Sequence, residues 1–142
     1  MGARATGLKD LIDDLDDAAD RAPEALKRVV GQGLNNIKKE AQRIIRAHSP
    51  HGYLPHYPRS IGYDVTAKGP VVSGEVGPRR DRKQGGLGSY IEFGTVNNAP
   101  IPHMIPATDA EEPRFIRYVE DLGVKLLEGE PVTGGPVTDP SP

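Results

Sequence analysis

From Leu8 to Ile45 apolar residues recur every three or four positions, from Ile61 to Val76 they recur every second, and from Phe115 to Leu126 the longer period returns. That order predicts helices, then strands, then a helix. Leu8, Leu11, Ile12, Leu15 and Ala19 have the i, i+3, i+4, i+7 spacing of a short amphipathic helix whose polar face carries aspartates. Pro23 fits the first turn of a second helix, where its missing N–H costs little. Leu26, Val29, Val30, Gly33, Leu34, Ile37, Ala41, Ile44 and Ile45 then form a stripe. Gly31 and Gly33 each lower helix propensity by about 1 kcal/mol relative to Ala, so they predict close packing or a bend. Ser49-Pro50 predicts the stop.

Between His51 and Arg59 two prolines break any period, which predicts a loop. Ile61, Tyr63, Val65 and Ala67 alternate with Gly62, Asp64 and Thr66. After Lys68-Gly69-Pro70, Val72, Gly74 and Val76 share one parity, so the pair forms a hairpin signal closed by Gly77-Pro78. A basic, glycine-ended loop follows, with Arg79, Arg80, Arg82 and Lys83 around Asp81. Tyr90-Ile91-Glu92-Phe93-Gly94-Thr95 is expected to be a third strand, over 89–95. Its lone acid, Glu92, either faces solvent, accepts bonds from neighbouring backbone or Arg59, or pairs with a basic residue across a subunit joint.

A proline-rich connector runs from Ala99 to Ala107. Thr108 or Asp109 is the expected cap of a last helix, with Glu111, Glu112 and Pro113 in its first turns and Gly129 at its end. Residues 130–142 carry almost no apolar mass and are expected to be disordered or bound along a partner. The sum is an α+β fold: two N-terminal helices, an antiparallel sheet of about three to four strands, a C-terminal helix and a disordered tail. The exposed edges of so small a sheet become joints if rings of subunits pack there.

Composition narrows the chemistry. The 142 residues include no Cys, which removes disulfides, thiol nucleophiles and cysteine zinc sites, and no Trp and two Phe, so the core rests on aliphatic residues. No segment approaches the roughly 18 apolar residues of a membrane span, and a soluble, non-secreted chain is expected. The net charge of −2 gives no bulk attraction to nucleic acid or membrane. Its distribution is more telling: residues 1–20 hold six Asp against Arg4 and Lys9, and residues 21–48 hold seven Lys or Arg against Glu24 and Glu40. Such a reversal suits antiparallel neighbours or successive subunits of an assembly, or else two solvated faces.

Catalytic and metal signals are weak. His48, His51 and His56 are close in sequence but match no ligand spacing. Ser49, Ser60, Ser73 and Ser89 have no base partner in pattern, and Gly85-Gly86-Leu87-Gly88-Ser89 precedes an apolar run with no closing lysine. No catalytic, cofactor or metal residue is expected. The basic loop is either a solvated turn or a salt-sensitive contact to DNA or a partner.

The order of elements, with Tyr-Ile-Glu-Phe-Gly-Thr followed by Pro102-His103-Met104-Ile105-Pro106-Ala107, resembles the head-tail joining, or tail-completion, proteins of long-tailed bacteriophage necks. The resemblance covers 22–128, with its best anchor at 90–107; the acidic segment 1–21 and the tail 129–142 lie outside it. It implies a structural protein of the virion, made in the host cytoplasm, that assembles as a homo-oligomeric ring, hexameric in the resembled phages, between the capsid connector and the tail tube. Arg59, Tyr90, Glu92, Phe93, Gly94, Thr95, Pro100, Pro102, His103 and Pro106 are then the expected subunit or partner contacts, with Arg79, Arg80, Arg82 and Lys83 as a loop facing DNA or a partner. No reaction, cofactor or membrane is implied. A tail terminator that caps the tail tube is the alternative within the class; a nucleic-acid-binding module using 79–83, and an enzyme, are those from other classes.

Overall fold

The structure, a computed structural model, describes residues 2–48 and 54–130, with side chains from residue 8 onward. The expected stop at Ser49-Pro50, His51, Tyr53 and the tail from residue 131 lie outside the described residues. The elements are α1 (Gly2–His48), α2 (Tyr57–Ser60), β1 (Ile61–Lys68), β2 (Val71–Pro78), a 3-10 turn (Gly85–Leu87), α3 (Gly88–Phe93) and α4 (Met104–Leu127).

The two expected N-terminal helices are one, with Pro23 inside it. An interior proline costs about 3 kcal/mol through a lost backbone bond and a steric clash. Packing overrides that cost here: Ala18, Ala22, Ala25, Leu26 and Val29 bury as one face against Leu122 and Leu126 of α4, on both sides of the proline. The α-helix is therefore 47 residues long, or about 70 Å at 1.5 Å per residue.

α4 runs antiparallel along α1. Its first turns meet the end of α1, where Ala107 packs with Ala41 and Ile45, and its last turns meet Ala18 and Ala25. Gly33 allows the close approach that the sequence predicts: a Cβ there would lie 2.9 Å from the Phe115 ring. A Schellman motif closes α4, with Gly129 N–H bonded to Leu126 O (3.2 Å), Glu130 N–H to Lys125 O (3.0 Å) and Gly129 at φ 72°.

The hairpin forms as expected. β1 and β2 pair antiparallel from Ile61 opposite Pro78 to Lys68 opposite Val71, around a Gly69-Pro70 turn. Its face lies on α1, where Gly74 meets Val30 and Leu34. Tyr57, Ile61 and Ile91 complete a second core with Ala41 and Ile45 at the far end of α1.

Among the described residues the sheet has only these two strands, because the expected third strand is the helix α3. Gly88, Ile91 and Glu92 point inward at i, i+3, i+4, whereas Leu87, Tyr90 and Phe93 are exposed at i, i+3, i+6. A six-residue apolar run fits either period, and the burial of Glu92 beside Ile91 decides for the helix.

Candidate functional site

Glu92 is the organising residue of the α3–α4 junction. The last helix begins at Met104, four residues before the expected cap, because Glu92 supplies the cap from another element. Its carboxylate accepts the backbone N–H of His103 (3.1 Å), Met104 (2.8 Å) and Ile105 (3.5 Å). The fourth donor of an ordinary first turn is missing because residue 106 is proline, and Ala107 N–H makes the first bond inside the helix, to His103 O at 3.1 Å. Every N-terminal donor is thus accounted for, and a negative charge lies at the positive end of a 24-residue helix. Thr108, the expected cap, is inside α4 and its hydroxyl donates to Met104 O at 2.8 Å.

Behind the cap lies a buried chain of polar groups. His103 Nδ1 is 2.8 Å from Ile101 O and 3.1 Å from Glu92 Oε1, two acceptors, so the proton is assigned to Nδ1. Nε2 then accepts from the Tyr57 hydroxyl at 2.6 Å. Burial, and next the charge of Glu92, push the Tyr57 phenol well above its ordinary range, so it stays protonated and keeps donating. Ser60 Oγ in turn donates to Tyr57 O at 2.6 Å. Gly94 ends α3 at φ 77°, and a Cβ there would come within 2.9 Å of Asn98 O, so the turn into the connector requires glycine.

The expected contact residues therefore separate into two groups. Glu92 and His103 are interior, satisfied within the chain, and Glu92 bonds backbone rather than Arg59 or a subunit across a joint. Thr95 is tied into its own turn, where its N–H bonds Asn98 O at 2.9 Å. Tyr90 and Phe93, at 60 % and 69 % exposure, stand together on the outer face of α3 beside Leu87. Arg59, Pro100, Pro102 and Pro106 are exposed as well.

The basic loop divides in the same way. Arg79 reaches Tyr63 O at 3.1 Å and Asp64 at 2.9 Å, and Arg82 reaches Arg59 O at 3.0 Å. Arg80 and Lys83 are exposed. Among the described residues no group of three His, Asp or Glu side chains is placed to hold a metal, and no helix is long and apolar enough to cross a membrane.

A further surface has no place among the expected contacts. Leu8, Leu11, Ile12 and Leu15, counted above as an ordinary helix stripe, are 46–61 % exposed, because α1 runs on past the end of α4. The sequence held a usable signal: a stripe beginning at Leu8 is longer than the final helix that covers it.

Residues 9–94 match the sequence model of the family described as "Bacteriophage HK97-gp10, putative tail-component". The chain belongs to this HK97-gp10-like family of phage tail components. The matched span takes in residues 9–21, which lie outside the resemblance, together with the rest of α1, the hairpin, the basic loop and α3, and it ends at Gly94 before the proline connector. Comparison with curated proteins and with solved structures finds no match.

Proposed function

We propose that this tail component is a structural, non-enzymatic subunit of the neck of a long-tailed phage. It assembles with its own copies, as a hexamer by the resemblance to siphophage neck proteins, into a ring at the head-proximal end of the tail, and it joins the tail to the capsid connector. Its place is the virion, after assembly in the host cytoplasm. The observation that carries this reading is the family match over 9–94. The distribution of chemistry supports it: the buried polar groups Glu92, His103 and Tyr57 are spent on holding α3 to α4, whereas large apolar side chains stand uncovered at Leu11, Tyr90 and Phe93. Exposed apolar surface of that kind marks sites of association.

Removing the gene from its phage tests the proposal. DNA-filled heads and separate tails of normal length, restored to whole particles by adding the protein, are the expected result. Overlong tails would instead assign the terminator role. Tight, steeply salt-dependent binding of duplex DNA by the isolated protein would favour the nucleic-acid reading, against which stands the internal engagement of Arg79 and Arg82.

A further inference from the structure

We infer that Leu8, Leu11, Ile12 and Leu15 of one copy dock on the Leu87, Tyr90 and Phe93 face of the next, a head-to-tail contact between two different patches of the same chain. This rests on the ring reading above and names the surfaces that close the ring. The first observation is continuity. The bare stripe is the same helical face that, from Ala18 onward, is buried against α4, so its geometry is already that of a packed seam. Among the described residues nothing covers the stripe beyond the end of α4.

Charge selects the cover. Asp14 and Asp16 flank the stripe, with Lys9 beside Asp16, and Asp10, Asp13 and Asp17 lie behind it, so acids outnumber bases around it. Pairing the stripe with its own copy would bring these acids together and is disfavoured. The apolar groove formed by Val30, Leu34, Ile37 and Phe115, about 160 Å³, is rimmed by Glu111 and Glu112 and is disfavoured for the same reason. The α3 face has the opposite character. Its apolar and aromatic side chains follow directly on a loop with exposed Arg80 and Lys83 against the single Asp81, and Arg59 is exposed nearby, its carbonyl bonded to Arg82. An acid-flanked stripe and a base-flanked aromatic patch, both bare on one chain, are complementary to each other and not to themselves. Contacts between unlike patches propagate from copy to copy, which closes a ring where the rotation allows it.

Native mass spectrometry and sedimentation of the full chain test this with two double variants, Leu11→Ser/Leu15→Ser and Tyr90→Ser/Phe93→Ser. All four positions are exposed, so both variants are expected to melt as the wild type does when compared at dilutions where all are monomeric. Wild type is expected to form closed oligomers that weaken as salt rises. Each variant alone is expected to be monomeric, with association at least about tenfold weaker. Mixed, they should form a heterodimer and stop there, because one intact stripe meets one intact patch. Wild-type rings that persist in either variant would overturn the docking and leave the ring reading standing. Self-association of the Tyr90→Ser/Phe93→Ser variant would show stripe pairing on stripe and overturn it too. A wild type that stays monomeric at every concentration would overturn both.

Discussion

The α3–α4 junction and the first turns of α1 are built from the same materials, apolar residues at helical spacing beside acids, and use them in opposite ways. At the junction the acid is inside: Glu92 is buried and its charge is consumed by three backbone donors of α4. In α1 the acids are outside, solvated, and the apolar stripe they flank is exposed among the described residues. A polar group satisfied within the chain serves the fold, whereas an exposed apolar group is, on the proposed reading, the one open to a partner. The two regions should therefore fail differently when mutated.

The largest effect is expected at Glu92. Glu92→Ala orphans the buried N–H of His103 and the half-buried N–H of Met104 and should cost about 2–4 kcal/mol, seen as a lower thermal midpoint. Glu92→Gln keeps an acceptor but loses the charge at the helix end, and should fall between. If Glu92→Ala instead melts as wild type and only assembly suffers, the contrast between the regions is broken.

Tyr57→Phe is expected to cost about 1–2 kcal/mol through the unpaired His103 Nε2. It also carries a pH signature. The folded phenol is raised above its unfolded value, near 10.0, so its contribution is whole below that pH and declines as pH rises beyond it toward the folded value. Alkaline melts should show the wild type losing stability above pH ~10 and the variant losing less.

Leu11→Ser/Leu15→Ser should change the stability of the monomer by no more than about 0.5 kcal/mol while removing assembly, which sharpens the comparison from the other side. Smallest of all is Arg43→Ala, expected to leave a melt at neutral pH almost unchanged, because the pair is exposed and screened by solvent. The Arg43 hydrogen bond holds the Glu40 carboxyl below its usual range, so this small term is present above the unfolded carboxylate pKa and disappears in acid.

Much of the fold was legible in the sequence because its signals are local. The alternation from Ile61 to Val76 and the Gly69-Pro70 break gave the hairpin, and Gly129 gave the end of α4. The misses share a cause in contacts distant along the chain. Pro23 signals a helix start on local grounds, and the helix crosses it only because α4, about a hundred residues later, packs over both sides. α3 looked like a strand because Glu92 was matched to the period of its neighbours, whereas its partners are eleven to thirteen residues on. At the candidate site, Tyr90 and Phe93 are among the contacts the resemblance implies, and their exposure follows from the helical period of α3 that the strand expectation misses. Glu92 and His103 were taken for contacts because a cap supplied from a separate helix leaves no spacing pattern.

The most direct measurement is a cryo-EM reconstruction of the assembled virion neck at side-chain resolution. A ring of this protein between capsid connector and tail tube is predicted, with Leu8 to Leu15 of each copy lying on Tyr90 and Phe93 of its neighbour and Glu92 still capping its own α4. A neck without the protein, or a ring in which both the α1 stripe and the α3 face are turned to solvent, would contradict it.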